Sequence, residues 1–496
     1  MPTEGDLNTE TSHEPISGAI MWAAADVLAR QGLQFLTGLV LARLLTPNDF
    51  GVMALVAAFA GVATLLVDAG FALALIRQPK HSDVDASTAF WFNLACAFVM
   101  GALLVLAGPP VAAFYHTPVI AGLAALMGVN VVIASLAGVQ VALLTRALNF
   151  RTQAFASGWS NVIGGVVAIA AANQGAGPWA LAIQVVVAST INSATLWTLH
   201  SWRPSFVFSR NSFARLYGFG IFMLASSLLD LLATRFYAFL IGKLYSTADL
   251  GIYSRGVSTR DFGQNVLASL LTRISIPVLS RHIGDPPGLR RRMRSANKLA
   301  MAVNLPVMFG LAASSHELVP FLFGSQWIGA APILAVLCLA GSIWPLQLSN
   351  VNLMSALGHS GRLATLEVAK KTILVASVCA AAPFGMQWIA WATVFAAMAA
   401  FFLNASQARI YISYPAVRQL FDVAAYIVLA ATMAAIVFAV HYWSPARHRA
   451  VLLGIEISAG AIWYLGGALI FKLEAATLAW RIVTSQFKPK LPRVDP

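Results

Sequence analysis

The sequence predicts an all-α polytopic membrane protein of about 14 transmembrane helices. Three observations carry this. Apolar residues make up 59% of the chain and charged residues 10%, where soluble domains hold roughly 45–50% and about 25%, so one globular core cannot bury the excess. The apolar residues come in blocks about 20 long, the length a helix needs to cross a bilayer. The blocks are rich in Ala and Leu and lack period-2 alternation, which excludes the short alternating strands of a membrane barrel.

The first span is expected at 17–43. It follows MPTEGDLNTETSHEP, an acidic segment without the basic region of a cleaved signal peptide. Five more follow at 50–76, 86–107, 119–144, 155–172 and 178–199, divided by breakers such as Gly108-Pro109-Pro110 and Gly175-Ala176-Gly177-Pro178. A second set of six is expected at 213–242, 249–279, 297–322, 328–357, 363–383 and 387–410, and a last pair at 416–441 and 449–471. The chain then divides into a tail at 1–16, a six-helix bundle at 17–209, a second at 210–414, a helix pair at 415–472 and a basic tail at 473–496. Cys96, Cys338 and Cys379 lie inside apolar runs without metal or disulfide spacing and read as small packing residues.

Alternate loops differ sharply in charge. One set carries about twenty Lys and Arg, including Arg77, Lys80, Arg146, Arg203 and the run RRRMRS at Arg290–Ser295; the other carries Arg43, Lys243, Arg447 and Arg449. The positive-inside rule places the first set, and with it both termini, in the cytoplasm. The net charge of +13 is thereby a topology signal, and a nucleic-acid partner is not expected.

A short turn is written twice. RLLTPNDFG at Arg43–Gly51 joins spans 1 and 2, and KLYSTADLG at Lys243–Gly251 joins spans 7 and 8. Six spans separate the copies, so both face the same side: a parallel repeat of two six-helix bundles. Thr46 and Ser246 are suited to cap the next helix, Asp49 and Asp249 fall in its first turn, and Gly51 and Gly251 allow close helix approach. The same offset sets Arg30 opposite Asp230.

ARLLTPNDFG, then VDAGFALALIRQP at Val67–Pro79, FGSQWIGAAPILAVLCLAG at Phe323–Gly341 and SALGHSGR ending at Arg362, resembles the polysaccharide-transport branch of the multidrug/oligosaccharidyl-lipid/polysaccharide (MOP) exporter superfamily. The resemblance implies a Wzx-type flippase for O-antigen, capsule or exopolysaccharide repeat units in the bacterial inner membrane. It also implies two bundles facing a central cavity that opens alternately to each side. Its substrate would be an undecaprenyl-pyrophosphate-linked oligosaccharide, moved with proton or sodium coupling and passed to a polymerase of the same pathway.

Ionisable residues within spans are the best site candidates, because a charge at a helix centre costs about 2.5–3.5 kcal/mol on insertion scales and must face protein or water. Asp26 and Arg30 lie four apart on one face of span 1, either a self-neutralising pair or a cavity cation tuned by its acid. Asp230 and Arg235 lie five apart in span 7, a poor intrahelical pairing, so different neighbours are expected. Span 8 is the most polar, with Arg255, Arg260, Asp261, Gln264 and Asn265; Arg260 is nearest mid-depth and Arg273 is close enough to the end to snorkel. Span 11 carries Glu367, Lys370 and Lys371, open to pairing along the helix, to snorkelling, or to a cavity role. Arg30, Arg235, Arg255, Arg260, Lys370 and Lys371 are therefore the candidate cavity cations, and Asp26, Asp230, Asp261 and Glu367 the pairing or coupling acids. Asp68, Asn93, Asn130, Gln140 and Glu456 read as structural.

Arginine forks bind phosphate oxygens in pairs, and embedded arginines in this number suit an anionic head group better than a cationic drug. There is no G-x-x-x-x-G-K-[ST] motif for ATP, no metal-spaced His cluster and no Ser/His/Asp arrangement, so neither a cofactor nor an enzyme activity is expected. The outer loops are short, unlike the segment a membrane polymerase or ligase would need, and a structural scaffold leaves the embedded charges unexplained.

Overall fold

The computed structural model describes residues 31–68, 70–77, 82–280, 285–443 and 448–474. The first helix, α1, covers 31–44 of these. It is followed by α2 (Pro47–Asp68), α3 (Phe71–Arg77), α4 (Asp83–Phe114), α5 (Val119–Arg146), α6 (Phe150–Asn173) and α7 (Pro178–Leu199). Then come α8 (Arg210–Leu244), α9 (Thr247–Ser280), α10 (Pro286–Ala313), α11 (Ser315–Phe323), α12 (Ala330–Ser342), α13 (Trp344–Ala356), α14 (Ser360–Ala381) and α15 (Met386–Ile412). A final pair is α16 (Ala416–Trp443) and α17 (Arg449–Ile470). The described residues contain no strand.

Eleven described helices or helix pairs are long and apolar enough to cross a membrane. Of the fourteen expected spans, the missing three are α1, described only in part, and α9 and α14. The last two are the helices loaded with Arg255, Arg260 and Asp261 and with Glu367, Lys370 and Lys371. Their charge lowers their hydropathy and marks them as helices that line something other than lipid.

Local chemistry sets the boundaries. Ser82 and Asp85 form a reciprocal capping box at the start of α4, with Asp85 N to Ser82 Oγ at 3.3 Å and Ser82 N to Asp85 Oδ2 at 3.1 Å. Asn149 caps α6, Ser209 caps α8 and Asp285 caps α10. Gly70 adopts φ 75°, a left-handed conformation that splits the expected span 50–76 into α2 and α3. Two other expectations are corrected. Gly108-Pro109-Pro110 is not a loop: α4 runs through it to Phe114, as membrane helices tolerate proline where neighbours satisfy the freed carbonyls. The expected span 328–357 is two helices meeting at Ile343, where Pro345 in the first turn of α13 has no N–H to continue the ladder of α12.

The two halves repeat the same packing. α4 packs on α5 as α10 does on α12, α6 on α7 as α14 on α15, and α5 on α7 as α12 on α15. The halves join where α2 meets α8 and α9. Leu55, Ile120 and Leu123 of the first half share one core with Ile241, Leu250, Leu337 and Ile389 of the second. α16 lies against α10, and α17 against α16 and α11. Phe98, Leu106, Phe395 and Phe438 are exposed outside the bundles, the apolar surface a bilayer would cover.

Candidate functional site

The two copies of the repeated turn meet each other. A Cβ placed on Gly51 would lie 1.6 Å from the Thr247 carbonyl oxygen, and one on Gly251 would lie 1.8 Å from that of Pro47. The backbones of α2 and α9 thus cross at glycine on both sides of a pseudo-twofold axis. Thr247 Oγ1 hydrogen-bonds Asn48 Oδ1 across the crossing. Each copy is held by its own cap: Asp49 N donates to Thr46 Oγ1 at 3.3 Å, and Asp249 N to Ser246 Oγ at 3.0 Å.

The basic residues of these turns are also shared reciprocally. Arg43 of the first half donates from Nε to Leu322 O at 2.9 Å and from Nη2 to Phe321 O, in the last turn of α11. Lys243 of the second half donates to Phe114 O, at the end of α4, at 2.8 Å. Helix C-terminal carbonyls have no partner within the helix and attract cations. These exceptions to the charge bias are therefore clamps between the halves. Trp327 Nε1 to Ala42 O at 2.8 Å and Gln326 Nε2 to Leu45 O at 3.1 Å add to the closure of this end, which lies opposite the basic loops.

Arg255 belongs to that closure. Expected on a cavity wall, it lines neither cavity described below. Its guanidinium carbon lies 4.2 Å from the ring centre of Phe50, 4.8 Å from Phe323 and 5.0 Å from Trp327, with Nε and Nη2 unpartnered. Ring faces stand in for hydrogen-bond acceptors, an attraction of roughly 2 kcal/mol when desolvated, against the larger penalty of a buried ion. Arg255→Leu is expected to melt at or above the wild-type temperature, and Arg255→Ala to lose about 2–4 kcal/mol through the void it leaves. Thermal unfolding in detergent checks this; a Leu variant as unstable as the Ala variant would show that the charge itself holds the cage.

Two cavities follow one another along α8 and α14. The larger, about 830 Å³, lies toward the basic loops between α2, α8 and α14. Thr64 and Asp68, Ser226, Ser227 and Asp230, and Glu367 and Lys371 supply its polar wall. Lys371 Nζ lies 2.5 Å from Asp230 Oδ1, and Lys370 Nζ 2.5 Å from Glu367 Oε1. The deeper cavity, about 260 Å³, is bounded by α8, α9, α12, α14 and α15. Arg235 and Tyr237, Tyr253, Arg260 and Asp261, and Thr393 face it among apolar side chains. Arg260 donates to Asp261 Oδ1 from Nε at 2.9 Å and from Nη2 at 2.6 Å. Arg235 makes none of the described ion pairs.

The structure thus brings together Asp230, Arg235, Arg260, Asp261, Glu367, Lys370 and Lys371 and sets Arg255 apart. Asp26 and Arg30 lie outside the described residues, as does the side chain of Arg273. Asp230 and Arg235 do face different neighbours. Gln264 is buried in protein, donating to Gly341 O at 3.2 Å. The expected surplus of cations is absent from the described walls: Asp68, Asp230, Asp261 and Glu367 face Arg235, Arg260 and Lys371, while Lys370 pairs with Glu367 without lining either cavity. The charge is graded instead, with acids concentrated in the larger cavity and both arginines in the deeper one. Asp68, read as structural, stands on the larger wall, and Ser226 and Ser227 were passed over; their spacing of three and four from Asp230 was the available signal.

A family model described as "Polysaccharide biosynthesis protein" matches residues 40–332, more than half of the chain. Succinoglycan biosynthesis transport protein ExoT of Rhizobium meliloti (strain 1021) is 28% identical over 322 residues, 65% of each chain. Teichuronic acid biosynthesis protein TuaB of Bacillus subtilis (strain 168) is 26% identical over 60% of this chain and 62% of its own. Lipopolysaccharide biosynthesis protein WzxC of Escherichia coli (strain K12) is 24% identical over 66% of each. The matches span a little under two thirds of these relatives' lengths. Among solved structures, lipid II flippase MurJ in an inward closed conformation superposes with a TM-score of 0.69 at 13% identity, covering 92% of this chain and 98% of that one. An inward-facing multidrug resistance MATE family transporter of the MOP superfamily gives 0.63 at 15% identity, covering 79% and 98%.

Proposed function

Because the chain belongs to the polysaccharide biosynthesis protein family and has the fold of MOP-superfamily transporters, we propose that it flips lipid-linked oligosaccharide repeat units across the membrane by alternating access. The observation that carries this reading is the pair Arg235 and Arg260, from adjacent helices, at the inner end of a polar path along α8 and α14. A pyrophosphate head cannot enter hydrocarbon without losing its hydrogen bonds. The path replaces them in order. Serine, threonine and lysine groups of the larger cavity meet the sugar, and the two guanidinium groups take the phosphate oxygens.

The ion pairs make this reversible. Asp261 holds Arg260 in place and balances its charge while the cavity is empty, and the phosphate exchanges for it on binding. A proton or sodium ion taken up by Asp230, Asp261 or Asp26 would reset the exchange on the other side. The units that rock are the bundles at 17–209 and 210–414, hinged on the glycine crossing, with 415–472 appended. Under the charge bias, the tails 1–16 and 473–496 face the cytoplasm of a bacterial inner membrane and the larger cavity opens to that side. The substrate is then an undecaprenyl-pyrophosphate-linked oligosaccharide, drawn from the membrane lipids around it and delivered to a polymerase.

Complementation of a strain lacking its own repeat-unit exporter tests the assignment. The wild-type chain is expected to restore polymer at the cell surface without changing drug susceptibility. Drug resistance without polymer would replace a lipid-linked anion with a cationic substrate.

A further inference from the structure

At the end of the molecule away from the cavities and the basic loops, three helices bring ligand-type side chains together that no motif connects. His316 and Glu317 open α11, His441 lies in the last turn of α16, and Glu456 lies in the second turn of α17. His316 Nδ1 is 3.5 Å from Glu317 Oε1, which is 3.9 Å from His441 Nδ1, which is 3.1 Å from Glu456 Oε1. The ligand atoms of His316, Glu317 and His441 all lie within 4.8 Å of one another. Bonds of about 2.0–2.1 Å to a tetrahedral Zn²⁺ would set neighbouring ligand atoms about 3.4 Å apart, a spacing close to that of these three, and Glu456 adjoins them through its 3.1 Å contact with His441.

A second observation points to a ligand. Glu456 is fully buried, its carboxylate faces the His441 ring, and its Oε2 has no hydrogen-bond partner. A carboxylate taken out of water demands a compensating charge, which a cation seated between it and the His441 ring would supply. Among the described residues, Arg449 reaches Glu317 rather than Glu456, with Nε 3.7 Å from Oε2.

We propose that His316, Glu317, His441 and Glu456 hold one divalent transition-metal ion, of which Zn²⁺ best suits two imidazoles and two carboxylates. The ion sits between His441 and Glu456, neutralises both carboxylates and leaves Arg449 to orient Glu317 from outside. The exposed His316 side chain gives it a route from solvent. The site clasps the appended pair α16–α17 to α11 at one end, as the Arg294–Asp422 pair ties α16 to α10 at the other. α11 also carries the carbonyls that accept from Arg43, so the clasp stiffens the closed end. This inference does not depend on the transported substrate.

The test is calorimetric titration of the full chain in detergent, stripped with EDTA, with ZnCl₂. One ion per chain is expected, with proton release. His441→Ala and the exposed-site His316→Ala are each expected to weaken uptake at least ~100-fold, the upper end of what even outer-shell losses cause. His359→Ala, far from the site, should bind as wild type. Zn²⁺ should raise the Tm of wild type and leave that of Glu456→Gln unmoved. No saturable one-to-one uptake, or uptake unchanged in both histidine variants, overturns the site; an undiminished Zn²⁺ response in Glu456→Gln overturns the four-ligand assignment.

Discussion

Gly51→Ala is expected to abolish export at wild-type membrane levels, and Gly251→Ala to do the same. No side-chain adjustment accommodates either change, because the added carbon meets backbone carbonyl oxygen at 1.6 Å and 1.8 Å. The crossing helices would have to separate, and even ordinary overpacking costs about 1–3 kcal/mol. The state lost is the one closed at the end opposite the basic loops, so the fold survives and the cycle stops. A cysteine pair read in the same cells makes the cause visible. Asn48→Cys with Thr247→Cys, whose native side chains hydrogen-bond across the crossing, should cross-link and halt export until reduced. With Gly51→Ala added, the cross-link should fail. Normal export together with normal cross-linking in that background would show that the crossing is not part of the cycle.

Arg260→Ala is the second large effect. A hydrogen bond to a charged group contributes about 1.5–3 kcal/mol, so its loss should lower export roughly 10- to 150-fold while the chain still reaches the membrane. Arg260→Lys should recover only part, since an ammonium keeps the charge but not the planar fork. Asp261→Asn separates the two roles of the pair. If Asp261 holds the guanidinium until phosphate arrives, its amide should weaken release and slow turnover without preventing binding. Export by Arg260→Ala equal to wild type would remove the phosphate site from this wall.

The fold was legible because lipid imposes simple rules. Helix lengths, the charge bias between loops and the repeated turn needed no tertiary information, and the turn's cap and glycine chemistry appears in both copies. Pro109 and Pro110 misled because a breaker in water is tolerated in a membrane helix whose neighbours satisfy it, and Pro345 misled in the opposite direction. The site was only partly legible. An embedded arginine announces that it avoids lipid, yet not whether it meets water or rings. Arg260 and Arg255 sit five residues apart on α9, and one lines a cavity while the other is caged by Phe50, Phe323 and Trp327. The Glu367–Lys370 pair lies within α14, but the partner of Lys371, and so the charge balance of the chamber, depends on which helices face each other. The meeting of Glu317, His441 and Glu456 was invisible for the same reason: 124 residues of chain separate the first two.

The central claim is that guanidinium groups on α8 and α9 bind the pyrophosphate of a lipid carrier. It is tested most directly by titrating undecaprenyl pyrophosphate, without sugar, into the purified chain. The wild-type chain should bind it in a salt-sensitive manner, and Arg235→Ala and Arg260→Ala should each bind at least ~10-fold more weakly. Equal affinity in wild type and both variants would contradict the account.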